Sequence, residues 1–266
     1  MQQNPDQELD GRTAVITGGG RGIGLAIAAS LADQGARVVM VARDRERLEK
    51  ATAELCADGA HAQALVADID DRGWLERLDE IAPQVDILVH NAAAFASYRP
   101  LEEVPPGEIE QVLATGIVAV IRANRHVLPG MKERNFGRLI HIGSVAARLG
   151  ARNQTAYTTV KAALEGMMRS LAVEGARFGI TSNLLELGLI ETERTREGLH
   201  SGVFDQLEEA APIGRAGRPE EVAHAASFLA SPRSAFITGA VLPVSGGLGL
   251  GLPGVPHPDV EVTSAR

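Results

Sequence analysis

Short apolar runs alternate along the chain with longer segments whose apolar residues recur at helical spacing. Residues 13–17 form the first such run, and Ile23, Ile27 and Leu31 then fall on one face of a helix that Gly35 ends. The same spacing predicts two further helices, one from Leu48, Ala51 and Leu55 and one from Trp74, Leu78 and Ile81. Further strands are predicted over residues 37–41, 85–90, 138–143, 180–187 and 241–244, together with a third strand that ends at Asp68.

This alternation predicts a parallel sheet, because two parallel strands must be joined by a crossover that is usually a helix. We therefore expect an α/β fold with a doubly wound, Rossmann-type, mostly parallel seven-stranded sheet and helices on both faces. A sheet of this kind commonly forms one core of about 250 residues, so residues 11–247 are assigned to a single domain. Residues 1–10 form a polar N-terminal extension, residues 193–212 a charged, lid-like segment, and residues 248–266 a Gly/Pro-rich C-terminal tail.

Composition excludes several classes of protein. The chain has 266 residues, of which 45% are hydrophobic and 23% charged, which is ordinary for a globular protein. No apolar run approaches about 18 residues and the N-terminus is polar, so we expect neither a membrane span nor a signal peptide. A single cysteine excludes a disulfide framework and a thiolate metal site, so we expect a cytoplasmic protein without a metal. A net charge of −8 and few aromatic residues argue against a nucleic-acid partner.

The strongest local signal is a glycine-rich turn between the first strand and the first helix. Its sequence, Thr17-Gly-Gly-Gly-Arg-Gly-Ile-Gly24, follows G-x-x-x-G-x-G spacing rather than the commoner G-x-G-x-x-G. Glycines let the backbone approach a pyrophosphate, whose charge suits a helix N-terminus. A purely structural turn is the alternative, but the strand–turn–helix context favours a phosphate site. Asp68 and Asn91 also end strands on that side of the sheet, and each is either a turn residue or a ligand contact.

A second group of residues fits proton transfer. Tyr157 and Lys161 are four residues apart on a predicted helix and therefore share a face, and Ser144 ends the preceding strand. A free tyrosine exchanges protons poorly at neutral pH because its pKa is near 10, and a neighbouring lysine cation favours the phenolate. The Y-x-x-x-K pattern alone is weak, but the preceding Gly-Ser and the glycine turn strengthen it.

These motifs together resemble the short-chain dehydrogenase/reductase family, in its single-domain branch. The resemblance spans about residues 9 to 247 and rests on Thr17-Gly18…Gly22-Ile-Gly24, Asn91-Ala92, Ser144, Tyr157…Lys161, Gly188-Leu-Ile-Glu-Thr192, Gly214-Arg-Ala-Gly-Arg-Pro-Glu-Glu221 and Phe236-Ile-Thr-Gly239. It implies that residues 11–247 are a dinucleotide-binding catalytic domain. It also implies that Tyr157 is the acid/base, that Ser144 holds the substrate oxygen, and that Lys161 binds the nicotinamide ribose and tunes the tyrosine.

The chain departs from the family pattern at several positions. Gly116 stands where the family has an asparagine that structures a proton relay, so a water or Thr115 is expected to substitute. Glu186 replaces a small residue beside the expected nicotinamide pocket. The remaining departures are His90 for asparagine, Ala93 for glycine, Leu187 for proline and Ser245 for aspartate.

Charge argues for NADP(H) as the cofactor. Ala42 stands where an NAD-preferring member carries an acid for the ribose 2′-hydroxyl, and Arg43 follows it, with Arg21 in the glycine turn. Arginine pairs a 2′-phosphate in bidentate fashion; the alternative is that both arginines are solvated surface charges. The residues expected to bind the cofactor are Gly18, Gly20, Arg21, Gly22, Ile23, Gly24, Arg43, Asp68, Ile69, Asn91, Ala92, Tyr157, Lys161, Gly188, Ile190 and Thr192.

We expect an NADPH-dependent ketoreductase that resembles the β-ketoacyl-carrier-protein-reductase-like members and acts on an acyl chain, a polyketide or another secondary metabolite. Two alternatives remain open at this point: an alcohol dehydrogenase or epimerase working in the oxidative direction, and a catalytically silent dinucleotide-sensing or interaction subunit. The resemblance also implies a homotetramer, or a homodimer, in which the helices that hold Gly116 and Tyr157 pack across subunits. The partner is therefore a small-molecule carbonyl or alcohol, with neither nucleic acid nor membrane.

Overall fold

A parallel sheet runs through the centre of the molecule, with helices on both faces. The computed structural model describes residues 7–199 and 202–250. The strands are β1 (Thr13–Thr17), β2 (Arg37–Ala42), β3 (Ala62–Val66), β4 (Ile87–His90), β5 (Gly137–Ile142), β6 (Ile180–Leu187) and β7 (Val241–Val244). The α-helices are α1 (Gly22–Asp33), α2 (Arg45–Ala57), α3 (Trp74–Ile81), α4 (Pro106–Leu113), α5 (Ala119–Arg134), α6 (Ala146–Leu149), α7 (Thr155–Gly175), α8 (Glu193–Gly198), α9 (Val203–Ala210) and α10 (Pro219–Ala230).

The strand order is β3-β2-β1-β4-β5-β6-β7, and every adjacent pair is parallel. The chain therefore winds outward in one direction through β2 and β3 and in the other through β4 to β7. This confirms the predicted doubly wound α/β fold. The order reverses between β1 and β4, where Val15 lies beside Val39 on one side and Leu88 on the other. Ligands bind open α/β sheets at the carboxyl ends of the strands beside such a reversal.

Apolar residues fill the space on both faces of the sheet. On one face α1 and α10 pack over Ile16 and Leu185, and on the other α3 and α5 pack over Val15 and Leu88. These strands carry apolar residues at successive positions because both faces of a parallel sheet are buried. Burial on both faces holds the carboxyl ends of β1, β4 and β5 in fixed positions.

The described ends of the chain contact this core. Leu9 is fully buried and donates its backbone N–H to Gln34 O at 2.9 Å, while Leu248 is buried against Val145 and Ala211. Residues 1–6 of the expected N-terminal extension and residues 251–266 of the expected tail lie outside the described residues. The predicted lid contains α8 and α9. Within 7–199 and 202–250, no helix combines the length and apolar character that crossing a bilayer requires.

Candidate active site

A cleft of about 480 Å³ opens at the carboxyl ends of β1, β4 and β5, where the strand order reverses. The glycine turn lines one end, and Ser144, Tyr157 and Lys161 line the other. Every residue that the sequence placed in the site lines this cleft except Gly24. The fold therefore brings together residues that are more than a hundred positions apart in the chain.

Gly24 serves the packing of the turn rather than the surface of the cleft. A Cβ on Gly24 would lie 2.2 Å from the carbonyl oxygen of Gly18 and 2.6 Å from Asn91 Nδ2. Asn91 in turn donates from Nδ2 to the carbonyl oxygens of Thr17 (3.0 Å) and Gly18 (3.1 Å). Asn91 therefore fixes the turn from the neighbouring strand, and Gly24 lets it come close enough to do so.

The turn has the shape and polarity that a pyrophosphate requires. Gly18 has a φ of +69°, and its missing side chain leaves room for Asn91, because a Cβ would lie 2.8 Å from Nδ2. Helix α1 begins at Gly22 without a capping hydrogen bond from any described side chain, and its first turn contains no acidic residue. The first amide groups of α1 are thus free to bind an anion. These residues fit the phosphates of a dinucleotide.

The buried lysine and tyrosine have opposite shifts of pKa. Lys161 is 6% exposed and donates from Nζ to the carbonyl oxygen of Ile142 at 2.7 Å, and burial lowers its pKa to about 8. Burial raises the pKa of Tyr157, and a hydrogen bond with Ser144 opposes that shift only in part. The sequence argument expected a neighbouring lysine cation to favour the phenolate, whereas burial of Tyr157 is the largest influence on its pKa and acts in the opposite direction. At neutral pH Tyr157 is therefore a phenol that can donate a proton.

An ion-pair bridge crosses the cleft from α8. Glu193 Oε2 lies 3.2 Å from Arg21 NH1 and 2.7 Å from Arg47 NH1. Both arginines lower the pKa of Glu193 through hydrogen bonds. Arg43, also in the cleft wall, lies 3.5 Å from Asp68. Arg47 was not among the cofactor-binding residues expected from the sequence, although it follows Arg43 by only four positions.

Val160 occupies the space that a side chain at position 116, where the family has an asparagine, would need. Gly116 lies in a π-helical turn (Ala114–Val118), and a Cβ there would lie 2.3 Å from Val160 Cγ1. Thr115, the expected substitute, donates its hydroxyl to Asp70 Oδ2 at 2.6 Å instead. A second cavity of about 10 Å³ lies between Gly116, His90 and Lys161, which is close to the smallest volume that holds one water.

Glu186 does not line the cleft. Glu186 belongs to β6 and is buried. Its carboxylate lies 3.5 Å from NH2 of Arg148, a residue of α6, the short helix that begins just after Ser144. Leu187 and Gly188, which follow Glu186 along the chain, line the cleft wall. The unusual charge of Glu186 thus belongs to the packing behind Ser144.

Two histidines stack behind the cleft with their rings 5.1 Å apart and 9° from parallel. His90 Nε2 contacts Asn124 Oδ1 at 2.9 Å, and His141 Nε2 contacts Ser182 Oγ at 3.1 Å. Burial lowers the pKa of His90 to about 4 and that of His141 well below its usual value. Both histidines are therefore neutral in the folded chain at physiological pH.

Acidification is expected to destabilise the fold through this pair. An unfolded histidine titrates near 6.5, so below that pH the unfolded chain binds a proton that buried His90 rejects. This contribution to stability is complete above about pH 6.5 and is lost as pH falls toward 4. We expect His90 alone to remove about 2 kcal/mol between roughly pH 7 and 5, measured by urea unfolding at both values.

The matched control is exposed His61. His61→Asn should leave the difference in unfolding free energy between the two pH values intact, whereas His90→Asn should reduce it. An equal pH dependence in all three proteins would contradict this account.

The sequence model of the family described as "Enoyl-(Acyl carrier protein) reductase" matches residues 18–249. A 3-oxoacyl-[acyl-carrier-protein] reductase of Pseudomonas aeruginosa is 37% identical over 244 residues, which cover 90% of this chain and 98% of that protein. Among solved structures, a 3-oxoacyl (acyl-carrier-protein) reductase from Agrobacterium tumefaciens C58 with NADP bound has a TM-score of 0.85 and 35% identity, covering 92% of this chain and 97% of that one. A putative NAD(P)-dependent gluconate 5-dehydrogenase from Beutenbergia cavernae with bound NADP has a TM-score of 0.85 and 34% identity, covering 91% and 98%.

Proposed function

Since the chain belongs to the short-chain dehydrogenase/reductase family, we propose that it catalyses the NADPH-dependent reduction of a ketone to a secondary alcohol. The observation that carries this proposal is that Tyr157, whose pKa is raised by burial, lines one cleft together with Ser144 and Lys161. The glycine turn and the arginines at positions 21 and 43 line the same cleft. The substrate class we propose is a 3-oxoacyl chain, a polyketide or another secondary metabolite, supported by the likeness to proteins named 3-oxoacyl-[acyl-carrier-protein] reductases.

Bound NADPH would supply the hydride to the ketone carbon. Ser144 is placed to hold the carbonyl oxygen by donating a hydrogen bond, and Tyr157 to give that oxygen a proton. The raised pKa of Tyr157 keeps this proton available at neutral pH, as reduction requires. Lys161, fixed by its bond to Ile142 O, carries the positive charge that would hold the ribose hydroxyls and offset charge on the phenol.

The decisive experiment follows the absorbance of NADPH with a panel of ketones. The panel should include a 3-oxoacyl thioester, a 3-oxo ester and a 3-oxo acid, each also tested with NADH. We expect consumption of NADPH with at least one 3-oxo compound. Binding of NADPH with no turnover of any ketone, together with no alcohol oxidised in the presence of NADP+, would contradict the proposal and favour a dinucleotide-sensing protein.

Replacing Arg43 with alanine is expected to reduce the preference for NADPH over NADH. The side chain is 73% exposed and, within the part of the chain that the structure describes, pairs only with Asp68 at 3.5 Å, so its guanidinium is available to a 2′-phosphate. A hydrogen bond to a charged group contributes about 1.5–3 kcal/mol, so the ratio of kcat/KM values should fall about tenfold or more. Steady-state kinetics with both cofactors and calorimetric binding of NADP+ and NAD+ provide the measurement.

Arg45 is the control for this prediction. It is the first residue of α2, two positions after Arg43, but it pairs with Glu49 at 2.8 Å and lies outside the cleft wall. Arg45→Ala should leave the cofactor ratio unchanged. An Arg43→Ala protein with the ratio of the parent would show that the 2′-phosphate is recognised elsewhere.

We also propose that residues 11–247 form one catalytic domain, that the protein is cytoplasmic, and that it assembles as a homotetramer. Exposed apolar side chains support an assembly surface on the helices that the family resemblance places between subunits. Val118 and Ile121 are about half exposed near the start of α5, and Val173 on α7 is 81% exposed. Sedimentation velocity tests the assembly, and a stable monomer would contradict it.

A further inference from the structure

Arg194 lies in the wall of the cleft, and its guanidinium stacks on the ring of Phe95, which in turn stacks on the ring of Tyr157. Its guanidinium carbon lies 3.8 Å from the centroid of the Phe95 ring, and Phe95 stacks on Tyr157 with ring centroids 4.8 Å apart and planes 18° apart. One aromatic ring therefore separates the guanidinium from the phenol. Both Phe95 and Arg194 line the same cleft as Ser144.

Among residues 7–199 and 202–250, no carboxylate lies within 4 Å of the Arg194 guanidinium, unlike other arginines around α8. Arg196, two positions further along the helix, also stacks on a phenylalanine, Phe204 at 4.0 Å, but it pairs with Glu191 at 2.6 Å. Glu193 is engaged by Arg21 and Arg47. Glu191 and Glu193, the carboxylates on either side of the start of α8, are thus paired with other arginines, and Arg194 lines the cleft.

The surroundings of Arg194 favour an anion there. Burial lowers the pKa of Arg194, and the nearby cations Arg21 and Arg43 act in the same direction, against the phenols Tyr157 and Tyr98. A bound anion would oppose both the burial of the guanidinium and its repulsion by Arg21 and Arg43, because a nearby negative charge stabilises the charged form of arginine. Guanidinium presents two parallel N–H donors that match a carboxylate.

We propose that Arg194 is a specificity-determining residue that binds a carboxylate carried by the ketone substrate. This inference rests on the proposed ketone reduction and narrows its substrate class to 3-oxo acids and related anionic ketones. Because only the Phe95 ring separates the guanidinium from the phenol, an anion bound by Arg194 would lie in the same part of the cleft as the reacting carbonyl. A phosphate on a long thioester arm is another source of an oxyanion, and the experiment separates the two.

The test compares acetoacetate with ethyl acetoacetate, which differ only by the negative charge and the ethyl group. A second pair, acetoacetyl-CoA and acetoacetyl-N-acetylcysteamine, differs by the remainder of the CoA arm, which carries its phosphates. Arg194→Met should lower the ratio of kcat/KM for acetoacetate over its ester about tenfold or more, the loss of one charge-assisted contact. Arg194→Lys should recover part of this ratio. Arg196→Met is the matched control and should leave the ratio unchanged.

A selective loss in the CoA pair, with the acetoacetate pair unaffected, would overturn the carboxylate in favour of an arm phosphate. An equal loss on charged and neutral substrates, or no change, would overturn the proposal and leave Arg194 a packing residue. Calorimetric binding of 3-hydroxybutyrate to the protein with NADP+ gives a readout that needs no turnover. If the protein reduces no ketone but binds 3-hydroxybutyrate, and Arg194→Met abolishes that binding, the carboxylate site is supported and only the proposed reaction fails. If the parent protein does not bind 3-hydroxybutyrate, the carboxylate site is overturned as well.

Discussion

Replacing Tyr157 with phenylalanine is expected to lower kcat for ketone reduction by about three orders of magnitude, within the range for loss of a general acid. The substitution removes only the hydroxyl, so the ring retains its stacking on Phe95 and its place 5.5 Å from Lys161 Nζ. Burial raises the pKa of this phenol, so the protein at neutral pH starts each turnover with the proton in place. Because the phenol is the donor below its pKa, reduction should decline as pH rises through that pKa.

Tyr98, the chain's other tyrosine, is the matched control. It is half exposed, its own pKa is raised by partial burial, and it affects Tyr157 only through charge. Tyr98→Phe should keep kcat within about threefold of the parent, a change well under 1 kcal/mol in the barrier. Stopped-flow and steady-state rates give kcat, and binding of NADPH by fluorescence confirms that both variants hold the cofactor. If Tyr157→Phe keeps a tenth of the parent rate, another group supplies the proton.

The sheet was predictable because its physical signals are local. Strands β6 and β7 have the predicted bounds, and β2 extends one residue beyond the predicted 37–41. Strands buried on both faces read as continuous apolar runs, and helices read as stripes at intervals of three and four. The glycine turn was equally local, since its spacing and its place between strand and helix can be read from eight residues.

The missed parts of the site depend on contacts between distant segments. Glu193 meets Arg47 across 146 positions, and the loop after β4 brings Phe95 onto Tyr157. The residues around Phe95 and Arg194 in the sequence do not indicate that these two side chains stack with Tyr157. The three residues come from separate segments, so no fixed spacing in the sequence predicts their contact. The family pattern placed Glu186 and Gly24 beside the cleft. Neither residue lines the cleft in the structure, and the sequence pattern does not reveal this because it does not show how each residue packs.

The valine that occupies the relay position leads to the second large effect. Gly116→Asn is expected to lower the free energy of unfolding by about 3 kcal/mol, because overpacking a filled interior costs about 1–3 kcal/mol and a buried amide without partners adds to this. The conflict is specific: the new Cβ would lie 2.3 Å from Cγ1 and 3.0 Å from Cγ2 of Val160. Val160→Ala removes both methyl carbons.

A double-mutant cycle therefore tests whether these two positions depend on each other. Val160→Ala alone should cost about 1 kcal/mol by opening a cavity. The double variant Gly116→Asn/Val160→Ala should recover about half of the summed loss, a coupling energy of about 2 kcal/mol from urea unfolding. Gly166→Asn is the control, because a Cβ on Gly166 of α7 would meet no described atom within 4 Å; its cost should stay below about 1 kcal/mol. Additive losses in the cycle would mean that the π-helical turn, rather than Val160, excludes the asparagine. Recovery in the double variant would show that the two methyl groups of Val160 are what excludes a side chain at position 116.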